Sequence, residues 1–134
     1  MGAEWVMQLT PMIFTRIKND VSKKYKNLKN ENFSSTGTGK TTPVFPFVYF
    51  QTLPSLEKGQ DLEANYINSV LYAFQIEVTD NKSQSNANGI MAEIIKTMKR
   101  MSFEVTSMPL FENTESAYRC VARFRRQIDQ NDIL

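Results

Sequence analysis

The residues with the most overt chemical meaning are Gly37-Thr38-Gly39-Lys40-Thr41. A phosphate-cradling loop needs a glycine, four residues and then Gly-Lys-Ser/Thr. It is entered from a strand and opens a helix, so that successive backbone N–H groups converge on the phosphates. Ser34 stands where the first glycine belongs, a helical pattern precedes the segment, and Pro43 with strand-forming residues follows it. The segment therefore reads as a loop rather than a nucleotide site.

A second grouping, Arg119, Arg123, Arg125 and Arg126, lies in a stretch with no acid between 119 and 126. In an extended chain, side chains two or four residues apart share a face, which puts Arg119, Arg123 and Arg125 together. Arginine presents five donors in a rigid fork suited to carboxylates and phosphates. Three uses fit such a row: an ion-pair surface between subunits, contact with DNA phosphates, or a solvated sheet surface. Complementary acids occur at Glu57, Asp61 and Glu63, which share a polar loop, and at Glu77 and Glu104.

Other chemistry is excluded by composition. The chain has no histidine and one cysteine, which removes His-assisted nucleophiles, His-bearing metal sites and thiolate clusters. No metal site and no cofactor are expected, and solvation is the ordinary account of Glu57, Asp61 and Glu63. Cys120 falls on the apolar parity of its segment, where a thiol is buried and inert. Without a partner it forms no internal disulfide. No basic stretch followed by an apolar run opens the sequence, and Val6 occupies the position where N-myristoylation needs Ser or Thr. No segment approaches the ~18 apolar residues of a membrane span.

These residues must be positioned by regular elements. Thr10-Pro11 reads as a helix start, Thr10 capping and Pro11 at the first helical position. Ile13, Ile17, Val21 and Leu28 then mark one apolar face of a helix of about 17 residues. Lys and Arg residues lie mostly off that face, crowded toward its C-terminal half. Residues 30–43 are polar and glycine-bearing, a long loop with Phe33 embedded in it, and fit equally an arm that folds on docking or simple disorder. Val44–Leu53 reads as a strand whose ladder begins near Phe47, because Pro46 has no N–H to donate. Residues 54–65 form the acidic loop.

The clearest strand is Tyr66–Thr79, with Tyr66, Val70, Tyr72, Phe74, Ile76 and Val78 on one parity. A second helix starts near Ser85 and places Ala87, Ile90, Met91, Ile94, Ile95 and Met98 on one face, closing near Met101. A short strand over 102–108, a turn over 109–115 and a strand over 117–128 complete the order, with a tail from 129 to 134. In the last strand Tyr118, Cys120, Ala122 and Phe124 face the core opposite the arginines. The expectation is a single α+β domain: a four-stranded, mainly antiparallel sheet with two helices packed on one face. At 134 residues and 41% apolar content the chain suffices for one core. Its net charge of +2 does not announce a nucleic-acid binder.

Two stretches carry a family resemblance: Ile67-Asn68-Ser69-Val70-Leu71-Tyr72-Ala73-Phe74-Gln75-Ile76-Glu77-Val78-Thr79-Asp80-Asn81 and Tyr118-Arg119-Cys120-Val121-Ala122-Arg123-Phe124-Arg125-Arg126-Gln127-Ile128. Together with the element order across residues 10–128, the chain resembles the tail-completion proteins of long-tailed bacteriophages, which include tail terminators and head–tail joining proteins. The resemblance implies a non-catalytic virion subunit, assembled in the host bacterial cytoplasm, that closes a ring of six. Such a ring ends growth of the tail tube and meets the head connector, with genomic DNA passing through its lumen. By that resemblance the partners are copies of the chain, the tail-tube protein and a head-completion protein, with no membrane. Arg119, Arg123, Arg125 and Arg126 would lie at subunit contacts or the lumen, with Glu57, Asp61 and Glu63 complementary to them. Phe33 and Lys40 would sit in the docking arm. A connector adaptor or stopper shares these features, and a small nucleic-acid-binding module that uses the lysines of the first helix and the arginine row is the alternative outside the family.

Overall fold

The computed structural model describes residues 8–34, 45–53, 56–58, 69–111 and 117–129. The first helix, α1, spans Leu9–Lys24 and buries Leu9, Ile13, Ile17 and Val21. Its N-cap is Gln8, with no side-chain capping bond, so Thr10 is not the cap. Thr10 lies inside the first turn, where its hydroxyl exchanges a hydrogen bond of 3.1 Å with that of Tyr72. A tertiary partner has replaced the local one. Pro11 is tolerated because first-turn N–H groups have no intrahelical acceptor. Leu28 is buried but lies beyond the helix, brought inward by a turn in which its N–H bonds Tyr25 O at 3.0 Å.

A 3-10 turn, Asn30–Asn32, follows, and then β1, Phe33–Ser34. Asn32 is buried. Its Oδ1 accepts from Lys29 N at 2.9 Å and its Nδ2 donates to Pro46 O at 2.8 Å, tying this segment to the entry of the next strand. The remaining strands are β2 (Phe47–Thr52), β3 (Leu56–Lys58), β4 (Ser69–Asp80), β5 (Glu104–Phe111) and β6 (Tyr118–Asp129). Helix α2, Gln84–Arg100, connects β4 to β5.

The sheet corrects the four-stranded expectation. Its path is β1-β2-β4-β6-β5, with β3 pairing β4 in addition. β1 runs parallel to β2, and the other pairings are antiparallel. β6 pairs the whole length of β4, from Ser69↔Asp129 to Asp80↔Tyr118. β3 and β2 therefore share the other edge of β4, Leu56–Lys58 opposite Leu71–Ser69 and Phe47–Thr52 opposite Thr79–Phe74. The two added strands have two and three residues, too few for a side-chain period to be recognised. β5 also runs on through Pro109 to Phe111 where a turn was expected, its pairing with β6 broken by register shifts after Val105 and Ser107.

The two helices stand as read, and one sheet face builds the core. Val48↔Val78↔Cys120, Phe50↔Ile76↔Ala122 and Phe74↔Phe124 are directly opposed rows, all buried. Helix α2 adds Ala87, Ile90, Met91, Ile94 and Met98. An aromatic chain crosses the centre, with ring centroids 5.5 Å apart for Phe14–Phe50, 4.6 Å for Phe50–Phe74 and 5.6 Å for Phe74–Phe103.

Helix α2 is closed at both ends by local chemistry. The Ser83 hydroxyl accepts from Asn86 N at 3.1 Å, and the buried Asp80 carboxylate takes Ser83 N at 3.2 Å and Asn86 Nδ2 at 3.1 Å. At the other end, Ser102 N bonds Lys99 O and Phe103 N bonds Met98 O, both at 2.9 Å. Ser102 there has φ 64°. This is a Schellman stop with serine at the left-handed position that glycine usually holds.

Candidate interaction face of the sheet

Alternation in β4 and β6 leaves one sheet face turned from the core. Arg119, Arg123 and Arg125 occupy it together, Arg123 and Arg125 exposed and Arg119 half-buried. Arg126 has the other parity: it lies opposite Tyr72 and is half-buried beside the core. The row thus consists of three arginines. It is interleaved with Val121, 9% exposed, and flanked on β4 and β2 by half-buried Leu71, Ala73 and Tyr49.

Register then decides which groups the arginines meet. Gln75 is directly opposite Arg123, and Glu77 is opposite Val121, diagonal to Arg119. Arg119 Nη2 donates to Glu77 Oε1. Gln75 Nε2 donates to the same carboxylate oxygen at 3.0 Å, and its Oε1 accepts from Arg123 Nε at 2.9 Å. The result is a chain Arg119–Glu77–Gln75–Arg123 across two strands. Arg125 lies opposite Glu104 of β5 and reaches its carboxylate at 3.4 Å. With both side chains at least half exposed, that pair contributes between about 0 and 1 kcal/mol.

Two of the arginines are thus neutralised within the chain. Arg123 is different, since among the described residues it has no carboxylate partner and is held only by the neutral Gln75 amide. Its charge is available to an acidic group outside the chain. The parity of residues 71–77 carries the signal for Gln75 and Glu77, but it becomes readable only once β4 is known to pair with β6.

Glu57 falls in β3 at the register of Val70, and Asp61, Glu63 and Lys40 lie outside the described residues. Phe33 is a core residue of β1, 6% exposed, so the segment read as a docking arm loses residues 30–34 to a turn and a strand. Cys120 is buried, and burial pushes its thiol up to about 11. Among the described residues no three His, Cys, Asp or Glu side chains are grouped to hold a metal ion. No helix among them is long and apolar enough to cross a membrane. No family model matches the chain, and no curated protein matches it.

Proposed function

We propose that this chain is a non-catalytic ring subunit that terminates the tail tube of a long-tailed bacteriophage and offers the tail side of the head–tail interface. Two things support the reading. Ser69–Asp80 and Tyr118–Ile128, which make up most of the resemblance, fall on β4 and β6, the longest paired strands. The observation that carries it furthest is the open face: a part-apolar surface around half-buried Tyr49 and Leu71, crossed by arginines of which Arg123 has no counter-charge among the described residues. A carboxylate of a neighbouring copy or of the tube protein would complete it, and closed rings form when such a surface meets a different patch on the next copy at a fixed rotation. A connector adaptor or stopper remains within the same reading. A nucleic-acid module built on the arginine row is disfavoured, because Glu77 and Glu104 already neutralise two of its three charges.

The test is absolute mass in solution by light scattering, across a concentration series at low and physiological salt, for the native chain and Arg123→Glu. A species six times the 15.4 kDa chain mass, weakened by salt and lost on charge reversal, is the expected result. Among the described residues Arg123 donates only to a neutral amide, and it is exposed, so the variant's melting temperature should stay within ~4 °C of the native value. A folded Arg123→Glu chain that assembles unchanged removes the role given to Arg123. A monomer at every condition that also fails to bind tail-tube protein removes the ring.

A further inference from the structure

The side of the molecule opposite the open face carries a different charge pattern. Residues 8–34 and 84–101 hold nine cations (Arg16, Lys18, Lys23, Lys24, Lys26, Lys29, Lys96, Lys99 and Arg100) against Asp20, Glu31 and Glu93, a net of +6. Since the whole chain is +2, the remainder is −4. The two helices pack antiparallel. Lys24 meets Glu93 at 3.0 Å, while Asp20 meets Thr97 at 3.2 Å and Arg100 at 3.5 Å. A shallow open depression lined by Asp20, Lys23, Lys24, Glu93 and Arg100 marks the crossing.

The two carboxylates at that crossing are already committed. Glu93 is shared by Lys24 and by Lys96 at 3.3 Å, and its hydrogen bond from Lys24 holds its carboxyl below the usual range. Asp20 is taken by Arg100 and Thr97. Lys23, Lys26, Lys29 and Lys99 are exposed and have no carboxylate partner among the described residues. Compensation of the helix dipoles accounts for cations in the last turns, Lys23, Lys24, Lys99 and Arg100. It does not account for Lys26 and Lys29, which lie past the end of α1.

We propose that this helical layer binds the phosphate backbone of double-stranded DNA without sequence preference. Protein–protein interfaces are depleted in lysine and anchored by buried aromatic side chains. Here lysines dominate, and the exposed large hydrophobic of the described residues is Met12, in the first turns of α1, where it lines a depression with Pro11, Thr15, Arg16 and Asn19. Lysine is a hydrated point charge on a flexible stem, suited to phosphates that need neutralising rather than to a fixed acidic pocket. Among its described residues the layer has no exposed aromatic side chain on which single-stranded bases would stack. Phe14 is half-buried in the core, with Lys18 over its ring at 5.2 Å. The surface stands apart from the arginine row and from the ring reading, so either can fail alone.

The test uses fluorescence anisotropy of a labelled random-sequence duplex of about 24 base pairs with the full chain, at 50 and 200 mM salt. For about four neutralised phosphates, affinity should fall about a hundredfold over that range. The triple variant Lys23→Glu, Lys26→Glu, Lys99→Glu reverses exposed side chains without carboxylate partners, and circular dichroism should show it folded. It should bind at least tenfold more weakly, whereas Arg123→Glu should bind as the native chain does. No binding at 50 mM salt overturns the proposal. So does equal binding by the triple variant, tighter binding of a single-stranded oligonucleotide, or displacement of the duplex by polyglutamate at equal charge concentration, which would mark a surface for acidic protein.

Discussion

Gly89 lies in the second turn of α2, where a helix interior ordinarily disfavours glycine. Replacing it with alanine should gain about 0.8–1 kcal/mol from helix propensity alone. The structure opposes that gain, because a Cβ at position 89 would overlap the Tyr25 hydroxyl oxygen and lie 3.5 Å from its Cζ. Tyr25 packs against the core just after α1, so its ring must shift, and forced repacking of this kind costs about 1–3 kcal/mol. Gly89→Ala should therefore be neutral or destabilising by up to about 2 kcal/mol. In a Tyr25→Phe background the overlapping oxygen is gone and the remaining contact is ordinary. There the same substitution should stabilise by the propensity gain, raising the melting temperature by about 3 °C for a chain of this length. The coupling between the two positions is then about 1–3 kcal/mol. It can be measured by urea and thermal unfolding of the four chains, followed by circular dichroism at one protein concentration. An equal effect of Gly89→Ala in both backgrounds would show that Tyr25 is not what keeps position 89 a glycine.

Two further predictions concern the core. Phe74 is fully buried, with ring neighbours Phe50, Tyr72 and Phe103 within 5.6 Å, so Phe74→Ala should cost about 3–5 kcal/mol and lower the melting temperature by roughly 10–17 °C. Phe14 is half-buried with one ring neighbour, Phe50, and its truncation should cost less than half as much; equal losses would mean that the aromatic chain is not centred on Phe74. The Cys120 thiol, raised from 9.0 to about 11 by burial, should react with iodoacetamide at pH 8 about a hundredfold more slowly in the folded chain than in urea. Because the folded state retains the proton, its contribution to stability is intact below pH 9 and declines as pH rises toward 11. A native rate within tenfold of the unfolded one would mean that the thiol is accessible and ionises normally.

Long elements were legible because their side-chain periods repeat. The alternation of Val70, Tyr72, Phe74, Ile76 and Val78 announced β4, and all five are buried. The spacing of Ile13, Ile17 and Val21, and that of Ala87, Ile90, Met91, Ile94 and Met98, announced both helices and their inner faces. β1 and β3 escaped because a two- or three-residue strand completes no period. They exist because an edge of β2 and an edge of β4 offer backbone groups to pair with. Thr10 shows a local rule overridden: its hydroxyl could have capped α1, but a Tyr72 hydroxyl 62 positions away bonds it instead.

The candidate faces divide in the same way. Parity along one strand grouped Arg119, Arg123 and Arg125, since the side-chain period of a strand is two. Composition likewise fixed how many cations α1 and α2 carry. Neither could tell which carboxylate each cation meets, because Coulomb and hydrogen-bond energies depend on separations of a few ångströms between residues 20 to 80 positions apart. Tertiary register and helix packing set Glu77 against Arg119, Gln75 against Arg123, and Glu93 against Lys24. The inventory of charges belongs to the sequence. Which of them are already matched, and which face outward for a partner, was decided only when the strands and helices were brought together.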